Sequence, residues 1–533
     1  MANPFTEEQL NQCSKEVLVQ LFLSMQEQMN QMNRNMELLI EQLSITNQKR
    51  FGRSSEKQEI DGQLSMNDCF NEAEVIAGQG TSAEPEMKEI SPCTYKRHKQ
   101  KGKREEDLKG IETVEVLHEI SEEQLEQIFG KGGWKRLPDE VYKRLDFHPA
   151  TFKVLEHHVA VYAGKNNETM AKAKRPHDLL RNSVVTPSLE AAIMNSKYVN
   201  SIPLYRLEQE FARNEVHLSR QNMANWTIQC AERYLSLLWE RMHRELCSCP
   251  VIQADETPVL VNKDGRKAGS KSYMWVYRTG KLYDSPPIVL YEYQKTRNAS
   301  HPREFLKDYR GTCVTDGYQV YHTLENERED LEIAGCWSHA RRRFADVVKS
   351  LSKEKAKDTL AYQALEQIGA IFKLEAALAG LSIEERVRRR QSSTKVLVEA
   401  YFEWIRANQN QVPPKSETGK GFTYCLNQEK YLKVFLNNGW VPADNNAAEQ
   451  AIRGLCIGKR NWHMIDTIHG AQASAIIYSI AETAKANHLK PYYYFEHLLT
   501  EIPKHMDDTS VDFLERLLPW SSDLPAECRK ANL

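Results

Sequence analysis

Three acidic residues stand where a carboxylate could do chemistry: Asp255 in VIQADETPVLV, Asp316 in GTCVTDGYQVY and Glu449 in PADNNAAEQAIRGLCIGKRNW. The first two interrupt or close short β-branched apolar runs that read as buried strands, and the third lies in a helix with a basic end. A carboxylate within a strand is unfavourable unless it is solvated, paired or metal-bound. Three carboxylates drawn together by a fold make a hard, oxygen-only site for Mg²⁺ or Mn²⁺. Two such ions side by side can activate an attacking oxygen and steady a leaving oxygen at a phosphodiester. The chemistry this trio implies is phosphoryl transfer on DNA. Taken singly, each acid has a plainer use. Either aspartate could be a turn or capping residue, and Glu449 could form an exposed pair with Arg453, contributing roughly a few tenths of a kcal/mol.

Period-two counting puts Asp255 on one strand face with Gln253 and Thr257, and turns Glu256 to the other face, away from a metal. Asp316 precedes Gly317 at a strand end, where function concentrates in open α/β sheets. Asp444 is expected to cap the helix that follows. Ala447, Ala448, Ala451, Ile452 and Leu455 then form its apolar side, and Asn445, Glu449 and Arg453 share another. Beyond them, Lys459, Arg460 and Asn461 offer phosphate contacts and Trp462 a stacking surface, as expected near DNA. Cys336 and His339 precede Arg341, Arg342 and Arg343. Two ligands do not complete a zinc site, so Cys336 and His339 are expected to support the acids while the arginines face phosphates.

The elements that must position these residues follow from pattern. Three strand runs (CPVIQADETPVLV, SYMWVYRTG, PPIVLYEYQ) precede a helix, the GTCVTDGYQVY strand and the shorter run LEIAGCW. A meander followed by alternating helix and strand is the order of a ribonuclease-H-like sheet. The expected fold class is multidomain α+β, with a catalytic domain over 246–503 interrupted by a helical insertion at 345–440. Upstream, 186–245 reads as helical. Its stretch IPLYRLEQEFARNEVHLSRQNMANWTIQC suggests helix, turn, helix, with Ser219 as cap and Arg220, Gln221 and Asn222 presented to base edges. Any helical hairpin can show this pattern. Residues 111–185 read as a small α/β module, 51–110 as a flexible linker with a basic cluster at 96–104, and 504–533 as a tail. Within 1–50, Leu18, Phe22, Met25, Met29, Met32, Met36, Leu39 and Leu43 alternate steps of four and three, a coiled-coil seam suited to a homodimer or higher oligomer. A single amphipathic helix docked on the protein's own surface fits the same spacing.

Bulk properties set bounds. A chain of 533 residues exceeds one core. The net charge of −2 lends no general support to nucleic-acid binding, so that case rests on local clusters. No signal peptide or membrane-length apolar run is evident, and the 11 cysteines form no CxxC pair. A cytoplasmic protein with reduced thiols is expected, with no membrane partner.

Four separated segments then carry a specific resemblance: FGRSSEK (51–57); SKYVNSIPLYRLEQEFAR (196–213) leading to ADET (254–257); CWSHARRRF (336–344); and DNNAAEQAIR with GKRNW and AETAKANHLKPYYYFEHLL (481–499). In content and order they resemble the large transposase subunit of the bacterial insertion-sequence-sixty-six family of DDE transposases. The resemblance implies Asp255, Asp316 and Glu449 as the triad holding two Mg²⁺ or Mn²⁺ ions, with Asp255 bridging. The reaction it implies is cleavage at transposon ends that frees a 3′-OH, which then attacks target DNA. It further implies that Cys336 and His339 match a CxxH element, that small accessory proteins of the same element are possible partners, and that transposon-end and target DNA are the substrates. Two departures stand out. Relatives carry a cysteine-rich zinc finger before the helical block, but no cysteine lies between Cys93 and Cys230, so zinc is not expected there. Gly454 follows Arg453 where relatives have proline. The rival readings are a noncatalytic DNA-binding regulator of transposition, and a nuclease of the same fold that does not join strands.

Overall fold

The computed structural model describes residues 151–163, 170–173 and 178–530 except 268, with scattered positions between 14 and 32 and between 123 and 131. The chain divides into two units, one comprising 72–176 with 530–533 and the other 1–71 with 177–529. In the smaller, Val161–Ala163 and Met170–Lys172 pair antiparallel. The basic linker lies outside the described residues. Of the heptad seam, Leu18, Phe22, Met25, Met29 and Met32 are helical and exposed, while Met36, Leu39 and Leu43 lie outside the described residues.

The larger unit is mixed α+β with a helical majority. It begins with four helices: α1 (Pro187–Met194), α2 (Leu204–Arg213), α3 (Arg220–Cys230) and α4 (Ser236–Cys247). Ser219 caps α3 by accepting from the Asn222 amide, as its position in the sequence implied. Strands β1 (Val251–Lys263), β2 (Lys271–Thr279) and β3 (Val289–Gln294) form an antiparallel meander. Helix α5 (Ser300–Phe305), β4 (Gly311–Val314), α6 (Gln319–Glu327) and β5 (Leu331–Ala334) follow. Strand β4 lies parallel to β1 and to β5, giving the order β3-β2-β1-β4-β5. In this register Gln253 faces Val314, so Asp255 lies level with the turn just beyond β4 that carries Asp316.

After β5 the chain is helical: α7 (Trp337–Ser350), α8 (Leu360–Ala377), α9 (Ile383–Arg389), α10 (Lys395–Asn408), α11 (Glu417–Asn427) and α12 (Glu429–Lys433). These surround a core of their own, built on Trp337, Phe344, Ile368, Tyr401, Phe402 and Phe422. Helix α13 (Asn446–Trp462) returns to the sheet and runs unbroken through Gly454. Strand β6 (Ile465–Thr467) then pairs with the far end of β1.

Helix α14 (Ile468–Ala486) lies along β3 and is buried through most of its length. Its Ser479 Oγ accepts from the Tyr291 amide at 2.7 Å, and Thr483 Oγ1 accepts from the Val289 amide and donates to its carbonyl. An edge strand's free backbone groups are thereby closed by side chains of the covering helix. Helix α15 (Pro491–Glu501) completes this layer. The segment read as a tail is in part core: Leu514, Leu517, Leu518 and Leu524 are buried. No described helix is long and apolar enough to cross a membrane.

Candidate active site

Strand β1 delivers Asp255 on the face that meets α13. Gln253 Nε2 on that face donates to Asn445 Oδ1 at 3.1 Å, and Thr257 lies against Cys456. Glu256 turns to the opposite face, in line with the alternation of a strand. The start of α13 differs from expectation by one residue. Asn445, not Asp444, occupies the cap position, and its side chain serves the sheet instead of the helix. Asn445 Nδ2 donates to the Ala254 carbonyl at 2.8 Å, while Asp444 Oδ1 accepts from the Asn446 amide. Arg278 of β2 reaches the Ala447 carbonyl from Nη1 at 3.1 Å. These bonds join the first turn of α13 to the strand beside Asp255, so Glu449 in that turn is carried to the same region.

Asp316 sits two residues past β4. Its Oδ1 accepts from the Tyr318 amide at 2.9 Å, and its carbonyl accepts from the Tyr424 hydroxyl of α11 at 2.8 Å. Gly317 has φ of +89°, and a Cβ there would lie 3.0 Å from Gln428 Oε1 and 3.1 Å from Tyr424 OH. Both backbone and space require glycine. The helical insertion therefore abuts the turn of the second acid.

Asp255 registers the convergence. Burial foremost, then Glu256, Asp316 and Glu449 as neighbouring negative charges, push its carboxyl up to about 8. Glu256 is pushed to about 7 by burial and then by Asp316, although the Arg297 guanidinium pairs with it. Arg297 lies 3.6 Å over the Tyr318 ring, whose hydroxyl donates to the Arg297 carbonyl. Glu256, Arg297 and Tyr318 thus connect the strand of the first aspartate to the turn of the second.

Glu449 does not pair with Arg453. Its Oε2 accepts from Arg342 Nη2 at 2.8 Å, and its Oε1 lies 3.6 Å from His339 Nδ1, too far for a hydrogen bond. Cys336 is fully buried at the start of α7, and its Sγ accepts from the Asn445 amide at 3.1 Å. Burial pushes this thiol to about 12, against backbone donors from Asn445 and His339. Burial also lowers the His339 pKa, opposed by the charges of Glu449 and Asp316. Cys336, His339 and Glu449 are, among the described residues, the one set of three or more metal-type ligands whose donor atoms all lie within 4.8 Å of one another. The three acids are more loosely arranged than that.

Glu256 Oε2, Glu449 Oε1 and His339 Nδ1 are buried without a hydrogen-bond partner among the described residues. Asp255, Asp316 and Glu449 offer only carboxylate oxygens, and negative charges that burden one another in this way are a donor set that a hard divalent cation satisfies, so the residues present fit Mg²⁺ or Mn²⁺.

The other residues singled out in the sequence lie in several places. Arg220, Gln221 and Asn222 are exposed on α3, with the Arg220 guanidinium over Tyr205. Arg342 is half-exposed beside Glu449, and Arg341 is partly buried. Lys459 Nζ donates to the Pro258 carbonyl, Arg460 is exposed, and Trp462 is half-buried against the main core. Residue-type reasoning put Gln253 and Asn445 on the faces of Asp255 and Glu449 without giving them a role, and passed over Arg297 and Tyr424. For Gln253 and Asn445 a signal existed, since an amide two residues before Asp255 on its face, and another in the DNN run, stand where a strand and a helix must be joined. Tyr424 and Arg297 gave none.

Two family models and several relatives match the chain. Residues 182–473 match the family model described as "Transposase IS66 family", and 479–520 match "IS66 C-terminal element". An uncharacterized protein of Sinorhizobium fredii (strain NBRC 101917 / NGR234), y4qI, is 28% identical over 388 residues, covering 71% of this chain and 70% of the relative. A second from the same organism, y4jD, is 27% identical over 399 residues, covering 73% and 76%.

Proposed function

The chain belongs to the IS66 family of transposases, and from that premise we propose that it is a DDE transposase that cleaves DNA at transposon ends and joins the freed 3′-OH to target DNA. Family membership implies a role in transposition, and the chemistry is our reading of the site. Asp255, Asp316 and Glu449 are the catalytic carboxylates on a ribonuclease-H-like core, a reading supported by the order β3-β2-β1-β4-β5. The observation that carries it is that residues 61 and 194 positions beyond Asp255 are drawn to it: β1 pairs in register with the strand that leads into the Asp316 turn, and Asn445, at the start of the Glu449 helix, donates to the Ala254 carbonyl. Two Mg²⁺ or Mn²⁺ ions held by these carboxylates would activate the attacking oxygen and neutralise charge at phosphorus.

The residues of the chain supply position. Asn445 and Gln253 hold the Glu449 turn against β1, Tyr424 and Gly317 fix the Asp316 turn, and Arg297 ties Glu256 to Tyr318. Arg220, Gln221 and Asn222 are proposed to contact transposon-end DNA. Arg341, Arg342, Arg453, Lys459 and Arg460 are proposed to line the path of its phosphates, with Trp462 beside them. The N-terminal heptads are proposed to bring two or more copies together on DNA, with small proteins of the same element as further partners.

Nicking of a terminal-repeat oligonucleotide tests this directly. Asp255→Asn, Asp316→Asn and Glu449→Gln should each lose at least about a hundredfold in metal-dependent cleavage while still binding the oligonucleotide. Near-wild-type cleavage by any of them refutes the triad. Absence of nicking in the wild type would favour a regulator, and nicks without joined product in a target plasmid would favour a nuclease.

A further inference from the structure

The sequence offers two soft ligands, Cys336 and His339, which alone do not make a metal site; the fold brings a third. We propose that Cys336, His339 and Glu449 form a binding site for a thiophilic divalent cation of the Zn²⁺ class, with a donor set different from that of the hard carboxylate site. The proposal rests on the observed position of Glu449 and holds whether or not the three acids catalyse phosphoryl transfer.

Distance is the first argument. His339 Nδ1 and Glu449 Oε1 are 3.6 Å apart, and both atoms are buried without a hydrogen-bond partner among the described residues. Two groups content with each other would close to hydrogen-bond length. Zinc bonds of about 2.0–2.2 Å to nitrogen and oxygen, set at tetrahedral angles, hold two such ligands roughly 3.4 Å apart. The observed gap is therefore nearly the span across a shared ion. The Cys336 Sγ belongs to the same set, with all donor atoms within 4.8 Å.

Chemistry is the second argument. Mg²⁺ has no use for a thiol, whereas three protein ligands of S, N and O type with one open position are an arrangement zinc accepts. Cys336 stands at the N-cap of a 14-residue helix and takes the Asn445 amide at 3.1 Å. A cation bound here would displace the proton that burial otherwise holds on this thiol.

Binding has one local consequence. His339 Nε2 lies 3.4 Å from Arg342 Nη1, so with Nδ1 on a cation the imidazole must carry its proton on Nε2, and that guanidinium nitrogen must turn away. The other contact of Arg342, with Glu449 Oε2, can persist because the cation takes Oε1. An ion here would fix the carboxylate of Glu449, so its occupancy would decide how that residue is presented to the hard site.

Cobalt(II) titration of the full chain without Mg²⁺ tests the proposal. One equivalent should bind with a sulfur-to-cobalt charge-transfer band and intense tetrahedral visible bands, and Zn²⁺ should bleach both. Cys336→Ser should lose the charge-transfer band, while His339→Gln and Glu449→Gln should weaken binding at least tenfold. Asp255→Asn should leave the spectrum unchanged even though it loses cleavage, which separates this proposal from the catalytic one. Should Cys336→Ser fail to fold, the other two variants decide. No cobalt binding, binding without the sulfur band, or a band that survives unweakened in both His339→Gln and Glu449→Gln overturns it.

Discussion

Two of the places where the molecule buries charge treat it in opposite ways. In the helical insertion, Arg390 is wholly inaccessible, yet all three of its guanidinium nitrogens are bonded. Nε and Nη2 donate to Glu375, and Nη1 donates to the carbonyls of Phe435 and Asn438 at 2.7 and 2.9 Å. Around Asp255 the reverse holds. Carboxylates crowd one another, Glu256 and Glu449 each keep an orphaned oxygen, and the counter-ions Arg297 and Arg342 reach in from partly exposed positions. A buried charge that only holds a fold together is closed by its neighbours, because an unmet one costs stability. The charges left open around Asp255 suit something that comes and goes, in keeping with the metal-dependent chemistry proposed for this site.

The sharpest way to break this contrast is to neutralise an open charge. Asp255→Asn should abolish cleavage and yet stabilise the metal-free protein. Asp255 holds its proton up to about 8 when folded, against an ordinary value of 3.8, so folding takes up a proton in that interval. Stability contributed by the protonated form is complete below about pH 4 and declines as pH rises toward 8. The asparagine variant should lack this decline and exceed the wild type at pH 8 by on the order of 1–3 kcal/mol in denaturant unfolding. Saturating Mg²⁺ should shrink the gap. A variant less stable than wild type at pH 8 would mean the carboxylate is structurally satisfied after all.

Removing a closed charge should do the opposite. Arg390→Met strands Glu375 and two carbonyls, and should cost about 3–5 kcal/mol in the same unfolding measurement. A loss under about 1 kcal/mol would show that the insertion does not depend on this pair.

The open site was legible in the sequence, and the closed one was not. Asp255 stood out because a strand tolerates a carboxylate only for a reason, and Asp316 because it closes a strand ahead of a glycine. Alternation correctly separated Gln253 and Thr257 from Glu256, and the apolar stripe of α13 correctly placed Ala447, Ala448, Ala451, Ile452 and Leu455 inside. Arg390, by contrast, sat in a run of arginines that reads as a solvated helix end. Its burial arises in a π-helical turn at Arg390–Thr394, which no periodicity announces. The alternative Glu449–Arg453 pair is absent for a similar reason, because i, i+4 spacing is blind to Arg342, 107 residues away. Tyr424 was invisible for the same reason, since its partner is a backbone carbonyl of a distant turn.

Tyr424 tests whether the two regions communicate. Its hydroxyl extends from the insertion to Asp316, and the Arg343 guanidinium lies 5.0 Å over its ring. Tyr424→Phe deletes one hydrogen bond and keeps the ring, so stability should fall by only about 1 kcal/mol. The Asp316 turn would lose its tether, and the Mg²⁺ concentration for half-maximal cleavage should rise severalfold while DNA affinity stays unchanged. An unaltered metal requirement would confine the insertion to a packing role.

The smallest expected effect comes from Arg342, which repeats the chemistry of Arg390 in the other setting. Both guanidiniums hold a glutamate, but Arg342 is half-exposed and reaches one oxygen of Glu449 and, more loosely, His339, whereas Arg390 spans both oxygens of Glu375 and two carbonyls. Water can replace Arg342 and cannot reach Arg390. Arg342→Gln should therefore shift stability by less than about 1 kcal/mol. Its consequence should appear on DNA instead: a guanidinium held by a carboxylate until phosphate arrives removes one counterion-release contact when lost, lowering the salt dependence of binding by about one. If Arg342→Gln cost as much stability as Arg390→Met, solvent exposure would not distinguish the two ion pairs, and the open site would be a second closed one.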